Sequence, residues 1–365
     1  MLTHPIRILA IDAGAGTQDI LVYESDRSIE NCTKLILPSQ TRVVATQIRD
    51  ATSRGVPIYL AGQLMGGGAS SEAIEAHLAA GLPVYSAAEP ARTLHNDLER
   101  VGRLGVEIRD TPPPGAEIIW LHDVDLEGLA ATLGRFGVQM PSIYAIAVQD
   151  HGFIAGSGAR EFRYEFLKEL LAQGGDLRDM IFRVVPSYMI RMRAVQDSLP
   201  GALIMDTGAA AVLGILGDPV VARAARDDGA ILVNIGNMHT FAIALRGMRV
   251  YGIAEHHSGG ITPAVLSHLV DQLAGGRLTH AEVMEMGGHG AAFVPDYAAS
   301  APFPTVAITG PNRAIAGELN YYEAVPHGDM MLSGPFGLVE GALRLLEREG
   351  HETGLSLIAP TKSPL

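Results

Sequence analysis

Short apolar runs, each stopped by glycine, proline or a polar turn, dominate the first half of the chain. Ile8–Ile11 and Ile20–Tyr23 flank Gly14-Ala15-Gly16-Thr17, which predicts two strands joined by a glycine-rich hairpin turn. Runs at Lys34–Leu37, Ile58–Ala61, Leu82–Ser86, Glu117–Leu121 and Ile143–Val148 predict further strands. Helices are expected from Ser70 to Ala80, over Asp125–Phe136, and over about 160–172. Ser70 and Ser71 are expected to cap the first of these, with Glu72 and Glu75 placed where the helix dipole favours them. Thr111-Pro112-Pro113-Pro114-Gly115 is a firm break between elements.

The second half repeats the rhythm. Strands are expected at Ala202–Met205, Ala230–Ile235, Phe241–Leu245 and Thr305–Thr309, with Asn237-Met238-His239 turning between the middle two. Helices are expected over Ala209–Gly217, Pro263–Gly275 and, as a closing amphipathic element, Pro335–Glu349. The strand–turn–strand unit of residues 8–23 therefore recurs at 230–245. We place a first domain at 1–200, a second at 201–350, and a loosely held Pro/Ser/Lys-rich tail at 351–365.

Composition narrows the class. With 365 residues there is length for two domains with cores of their own, and 47% hydrophobic against 18% charged residues suits a well-buried protein. A formal charge of −13 argues against a nucleic-acid partner. The single cysteine, Cys32, excludes an intrachain disulfide and a cysteine-only iron–sulfur or zinc site. No apolar stretch reaches bilayer-spanning length, and Met1–Arg7 enters the first strand without signal-peptide architecture. A soluble, cytoplasmic protein with no membrane partner is expected.

The hairpin turns carry the chemistry. Glycine permits φ > 0 and leaves no Cβ between backbone and ligand, so the N–H groups of such a turn can converge on phosphate oxygens. Asp12, ending the first strand, would hold hydrated Mg²⁺ beside those phosphates, or would hydrogen-bond its own turn.

Four motifs in order give a resemblance. Beyond the first hairpin, Asp206-Thr207-Gly208 followed by Ala209-Ala210-Ala211 is similar to the interdomain helix of heat-shock chaperone ATPase domains. Asn234-Ile235-Gly236-Asn237-Met238-His239-Thr240 stands where that family has its second phosphate hairpin. Thr309-Gly310-Pro311-Asn312-Arg313 resembles the adenosine turn, and residues 326–341 resemble the final loop and helix. The chain thus resembles the actin-like ATPase superfamily of sugar kinases, chaperones and actin. At closer range it resembles a family, a domain of unknown function, some of whose members are labelled "putative pyruvate formate-lyase activating enzyme". The resemblance implies an α/β fold of two ribonuclease H-like (actin-like ATPase) domains with a nucleotide cleft between them. It implies ATP and Mg²⁺ as cofactors and a kinase-like phosphotransferase or ATPase acting on a small-molecule acceptor or a partner protein. Activating enzymes of the radical type need three closely spaced cysteines, which excludes that chemistry here.

Residue roles follow from the resemblance. Asp12 would bind metal, and Asp206 would both cap its helix and orient water or magnesium. Gly14, Gly16, Thr17 and Gln18 would cradle phosphate on one side, and Gly236, Asn237, His239 and Thr240 on the other. Gly310, Asn312, Arg313 and Gly334 would frame the adenosine, with Arg313 stacked on adenine or paired with an acid, the motif favouring the first. Asp150 and His151 follow a strand, as in sugar kinases, and serve as general base and substrate-orienting group or as a capped turn. Glu255, His256 and His257 form a substrate-contact cluster, a metal site together with His239, His289 and His327, or a solvated loop, with substrate contact favoured over metal; on a strand, adjacent histidines project to opposite faces and would not chelate one ion. Gly66-Gly67-Gly68 reads as an anion loop or a flexible connector, with the connector favoured. In actin and the chaperones the second hairpin begins with aspartate, where this chain has Asn234. That substitution leaves open an alternative class, a non-catalytic nucleotide-responsive regulator or scaffold.

Overall fold

The computed structural model describes residues 5–153, 164, 167–168, 171–172 and 174–359. The helix expected over about 160–172 lies largely outside the described residues, as do residues 360–365 of the tail.

Three strands, β1 (Arg7–Ala13), β2 (Thr17–Glu24) and β3 (Thr33–Pro38), form an antiparallel meander. The chain then leaves the sheet to build a separate parallel unit of β4 (Ile58–Gly62), β5 (Val84–Ser86), β6 (Val106–Ile108) and β7 (Glu117–Leu121). It returns as β8 (Ile143–Ala147), β9 (Ile181–Phe182) and β10 (Leu203–Met205), with β8 parallel to β1 and β10 parallel to β8. The resulting order is β3-β2-β1-β8-β10-β9.

The second sheet comprises β11 (Ala230–Ile235), β12 (His239–Arg246), β13 (Arg249–His257), β14 (Gly290–Phe293), β15 (Thr305–Thr309) and β16 (Tyr322–Glu323). Its order, β14-β13-β12-β11-β15-β16, repeats the first: an antiparallel meander whose opening strand pairs in parallel with a later one. Two copies of this topology constitute the duplicated ribonuclease H-like fold that the resemblance implies. The registers correspond residue by residue. Asp12 faces Asp19 across the first hairpin and Asn234 faces Phe241 across the second.

Both faces of the first sheet are covered, which explains its unbroken apolar strands. Ile8 and Ala10 enter the large core shared with the second sheet, while Leu9 and Ile11 enter a smaller core on the other side. The parallel unit has its own core around Ile48, Ile58, Leu60 and Ile119.

Several expectations need correction. Leu203–Met205 was assigned to the second domain but pairs with β8 in the first sheet, and the closing helix Ser333–Arg348 packs on β1. The helix Ala69–Ala79 begins at Gly68 with no side-chain cap; Ser70 Oγ instead bonds the Gly67 carbonyl at 3.0 Å. Glu255–His257 belongs to β13, not to a solvated loop, and Glu255 and His256 are buried. The described part of the tail is anchored rather than loose. Leu357 N–H donates to Glu340 at 2.8 Å, and Ala359 N–H to the Leu216 carbonyl at 3.0 Å.

Candidate functional site

The two hairpin turns face each other across a cleft of about 570 Å³. Each is closed by the same bond, Gly14 N–H to the Thr17 carbonyl at 3.0 Å and Gly236 N–H to the His239 carbonyl at 2.9 Å. The turns approach so closely that a Cβ on Gly16 would lie 2.6 Å from Asn237 Nδ2. Glycine at 16 is therefore a requirement of the pairing of the turns, and Gly16 itself does not line the cleft.

Asp12, Asp19 and Asp206 all line the cleft, and the latter two act electrostatically on Asp12. Burial, and then the Asp19 carboxylate, raise the Asp12 carboxyl to about 8, with Asp206 adding to the effect and the Thr207 hydroxyl opposing it. Thr207 Oγ1 donates to Asp12 Oδ1. Burial also lifts Asp19 to about 6, and its Oδ1 is enclosed without a hydrogen-bond partner among the described residues. Asp206 caps the helix Thr207–Gly214, accepting from Gly208 N–H at 2.9 Å and Ala209 N–H at 3.3 Å. An orphaned buried carboxylate oxygen beside two further acids is an environment that a divalent cation with oxygen preference would satisfy. Gly334 backs directly onto this centre, since a Cβ there would lie 2.0 Å from Asp12 Oδ2.

Other expected residues brace the turns instead of lining the cleft. Gln18 is buried and donates to the Pro38 carbonyl at 3.0 Å, and Thr240 shares a 3.0 Å hydroxyl bond with Ser258. Asn312 Nδ2 donates to the Gly236 carbonyl at 2.9 Å, latching the 310–313 turn to the second hairpin. Gly310 has φ +104° and lies where a Cβ would sit 2.4 Å from the Ile235 carbonyl, so that turn admits only glycine. Arg313 does not reach the cleft; its guanidinium pairs with Glu323 at 2.9 Å. The wall at this end is made by Thr309, Gly310, Pro311, Met330 and Met331.

Asp150 is occupied as an anchor. Its oxygens accept N–H groups from Gly152 at 2.8 Å, Arg191 at 2.8 Å and Met192 at 3.0 Å. Burial pushes its carboxyl up while those N–H groups pull it down. The capped-turn alternative describes these contacts, and Asp150 also lines the cleft.

His151 extends from that anchored turn toward the second domain, where β12 and β13 present a matching set. His239 lies opposite His257 in the ladder, and Glu255, two residues earlier, projects to the same face. His256 projects to the other face and is held by the carbonyls of His257 and Met286, both at 2.9 Å from its ring nitrogens. His289, just ahead of β14, completes the group, its N–H donating to the Glu255 carbonyl at 2.8 Å. Gln149 Nε2 donates to Glu255 Oε1 across the cleft.

The parallel unit supplies a wall that the sequence reading missed. Its order, β6-β5-β4-β7, places the reversal of winding between β4 and β7, and ligand crevices in such sheets open at the carboxyl ends of the strands there. Gly66–Gly68 follow β4 and Asp123 follows β7, and all line the cleft. The glycines are thus cleft wall rather than a detached connector. Arg191 joins Asp123 in a two-pronged pair at 2.9 and 2.7 Å, tying this unit to the first domain. No residue-spacing signal marked Arg191 or Asp123, because the partners are 68 residues apart.

Among the described residues no single helix is long and apolar enough to cross a membrane. Residues 65–315 match the profile of a family described as "Putative pyruvate format-lyase activating enzyme (DUF1786)". No curated protein matches in sequence. Solved structures of similar topology include the ethanolamine utilization protein EutJ of Carboxydothermus hydrogenoformans, at 11% identity over 92% of this chain and 89% of that one, with a TM-score of 0.28. A Ppx/GppA protein of Aquifex aeolicus is 10% identical over 94% of this chain and 91% of that one, with a TM-score of 0.32. These low scores support nothing about activity; the fold is read from the strand order itself.

Proposed function

The chain belongs to the family so described, and from that premise we propose that it is an ATP-binding protein that uses Mg²⁺ in its cleft to transfer phosphate to a small acceptor or to water. The observation supporting this reading is the convergence of Asp12, Asp19 and Asp206 beneath two matched glycine turns. Asp12 and Asp206 would hold the cation, with Asp19 alongside. Bound there, Mg²⁺ would supply neutralisation of phosphate charge. The turns at 14–17 and 236–239 orient the phosphates through backbone N–H groups. Thr309, Gly310 and Met330 would wall the adenosine, and Gly66–Gly68 with Asn96 would wall the acceptor. Radical chemistry is not part of the proposal: Cys32 is the single cysteine, and it is buried.

Calorimetric titration with ATP and Mg²⁺ tests the reading. Wild type is expected to bind one equivalent, and Asp12→Asn to weaken binding about tenfold or more, equivalent to about 1.4 kcal/mol. Absence of binding in wild type would overturn it. Asn234 and Phe241 stand where the first repeat has Asp12 and Asp19, and this supports a second reading, a nucleotide-responsive regulator. ATP binding without phosphoryl transfer to any small acceptor or to water would favour that second reading.

A further inference from the structure

We propose that His151, His239, Glu255 and His289 form a binding site for a divalent first-row transition ion of the Zn²⁺ class, separate from the magnesium centre and spanning the two domains. One ligand atom from each lies within 4.8 Å of all the others. His151 Nε2 is 3.2 Å from His289 Nδ1, His239 Nδ1 is 3.3 Å from Glu255 Oε1, and His289 Nδ1 is 4.0 Å from the same oxygen. Ligands about 2.0–2.1 Å from a tetrahedral ion are separated by about 3.3 Å, so small side-chain adjustments close the shell.

The burial and chemistry of the group point the same way. Glu255 and His289 are buried, and His239 Nδ1 is enclosed without a hydrogen bond among the described residues although it faces the carboxylate. The rings of His151, His239 and His289 have centroids 4.9–5.0 Å apart. Three imidazoles and a carboxylate brought together in this way offer a nitrogen-rich donor set to such an ion. An outer contact is also in place. With His289 binding through Nδ1, its Nε2–H donates to His257 Nε2 at 2.7 Å, which fixes tautomer and ring orientation. Three nitrogens and one carboxylate discriminate against Mg²⁺, which requires an oxygen shell. Because His151 follows β8 of the first domain while the others come from the second, the ion would clamp the cleft at its edge.

The test is titration of chelator-treated full-length protein with Co²⁺, without nucleotide, followed by Zn²⁺ competition. The expected result is one Co²⁺ per chain with visible d–d absorption, displaced by Zn²⁺. Glu255→Gln and His289→Ala should each weaken binding about tenfold or more, whereas Asp12→Asn leaves it intact. Far-UV circular dichroism checks folding, and the half-buried His151→Ala reads the same loss where a buried variant does not fold. No binding at millimolar Co²⁺, or binding indifferent to all three substitutions, would overturn the proposal. The separate ATP titration decides the nucleotide reading, so the two can fail independently.

Discussion

At the scale of single residues, Asp12 contributes a pH dependence of its own. Its carboxyl is raised to about 8 by burial and by Asp19, whereas an unfolded aspartate titrates near about 3.9. Between those values the folded chain keeps a proton that the unfolded chain has released. The stability contributed by that proton is present in full below about pH 4 and is lost as pH rises through about 8. In a chelating buffer, therefore, the melting temperature of wild type should fall relative to Asp12→Asn between about pH 5 and pH 8.5. Parallel curves would contradict the burial of that charge. Added Mg²⁺ should stabilise wild type more at about pH 8.5 than at pH 6, because the cation competes with the proton. Asp12 was legible as a site residue because it ends an apolar run before a glycine turn. Arg313 takes the acid-pairing alternative rather than the favoured stack, and its partner Glu323 gave no signal because it lies in β16, a strand too short to leave a pattern.

At the scale of elements, the helices Thr207–Gly214 and Ser333–Arg348 cross where neither can carry a side chain. A Cβ on Gly214 would lie 1.7 Å from the Ser333 carbonyl, and one on Gly337 would lie 1.9 Å from the Ala210 carbonyl. Gly337→Ala should thus cost about 1–3 kcal/mol or more in urea denaturation. A loss below about 0.5 kcal/mol would show that the helices can separate freely. This crossing returns the end of the chain to the first sheet, beside Asp12. The sequence reading found both helices and most strands, since their apolar runs are bounded by clear turn residues. It missed the helix Gln40–Ser53, although Thr41, Val44, Ala45 and Ile48 fall on one buried face at helical spacing. It also stopped short of β13, which is buried on both faces up to Glu255 and His256 and ends in polar residues that mimic a loop.

At the scale of the whole molecule, duplication is what could be read and assembly is what could not. The hairpins at 8–23 and 230–245 announce two related sheets, and the strand orders agree. The parallel unit of β4–β7, by contrast, has strands that read like those of the sheet it interrupts, so only tertiary pairing separates it. The histidine cluster was legible only in part: Glu255, His239 and His289 stood out as polar residues for one site, but His151 comes from the other sheet and only tertiary packing brings it to them. A crystal structure with Mg²⁺ and a non-hydrolysable ATP analogue would show whether the two hairpins form one nucleotide site. The phosphates are expected between the turns at Gly14–Thr17 and Gly236–His239, with the cation at Asp12. An analogue bound outside that cleft, or absent from it at saturating concentration, would rule out a nucleotide site there.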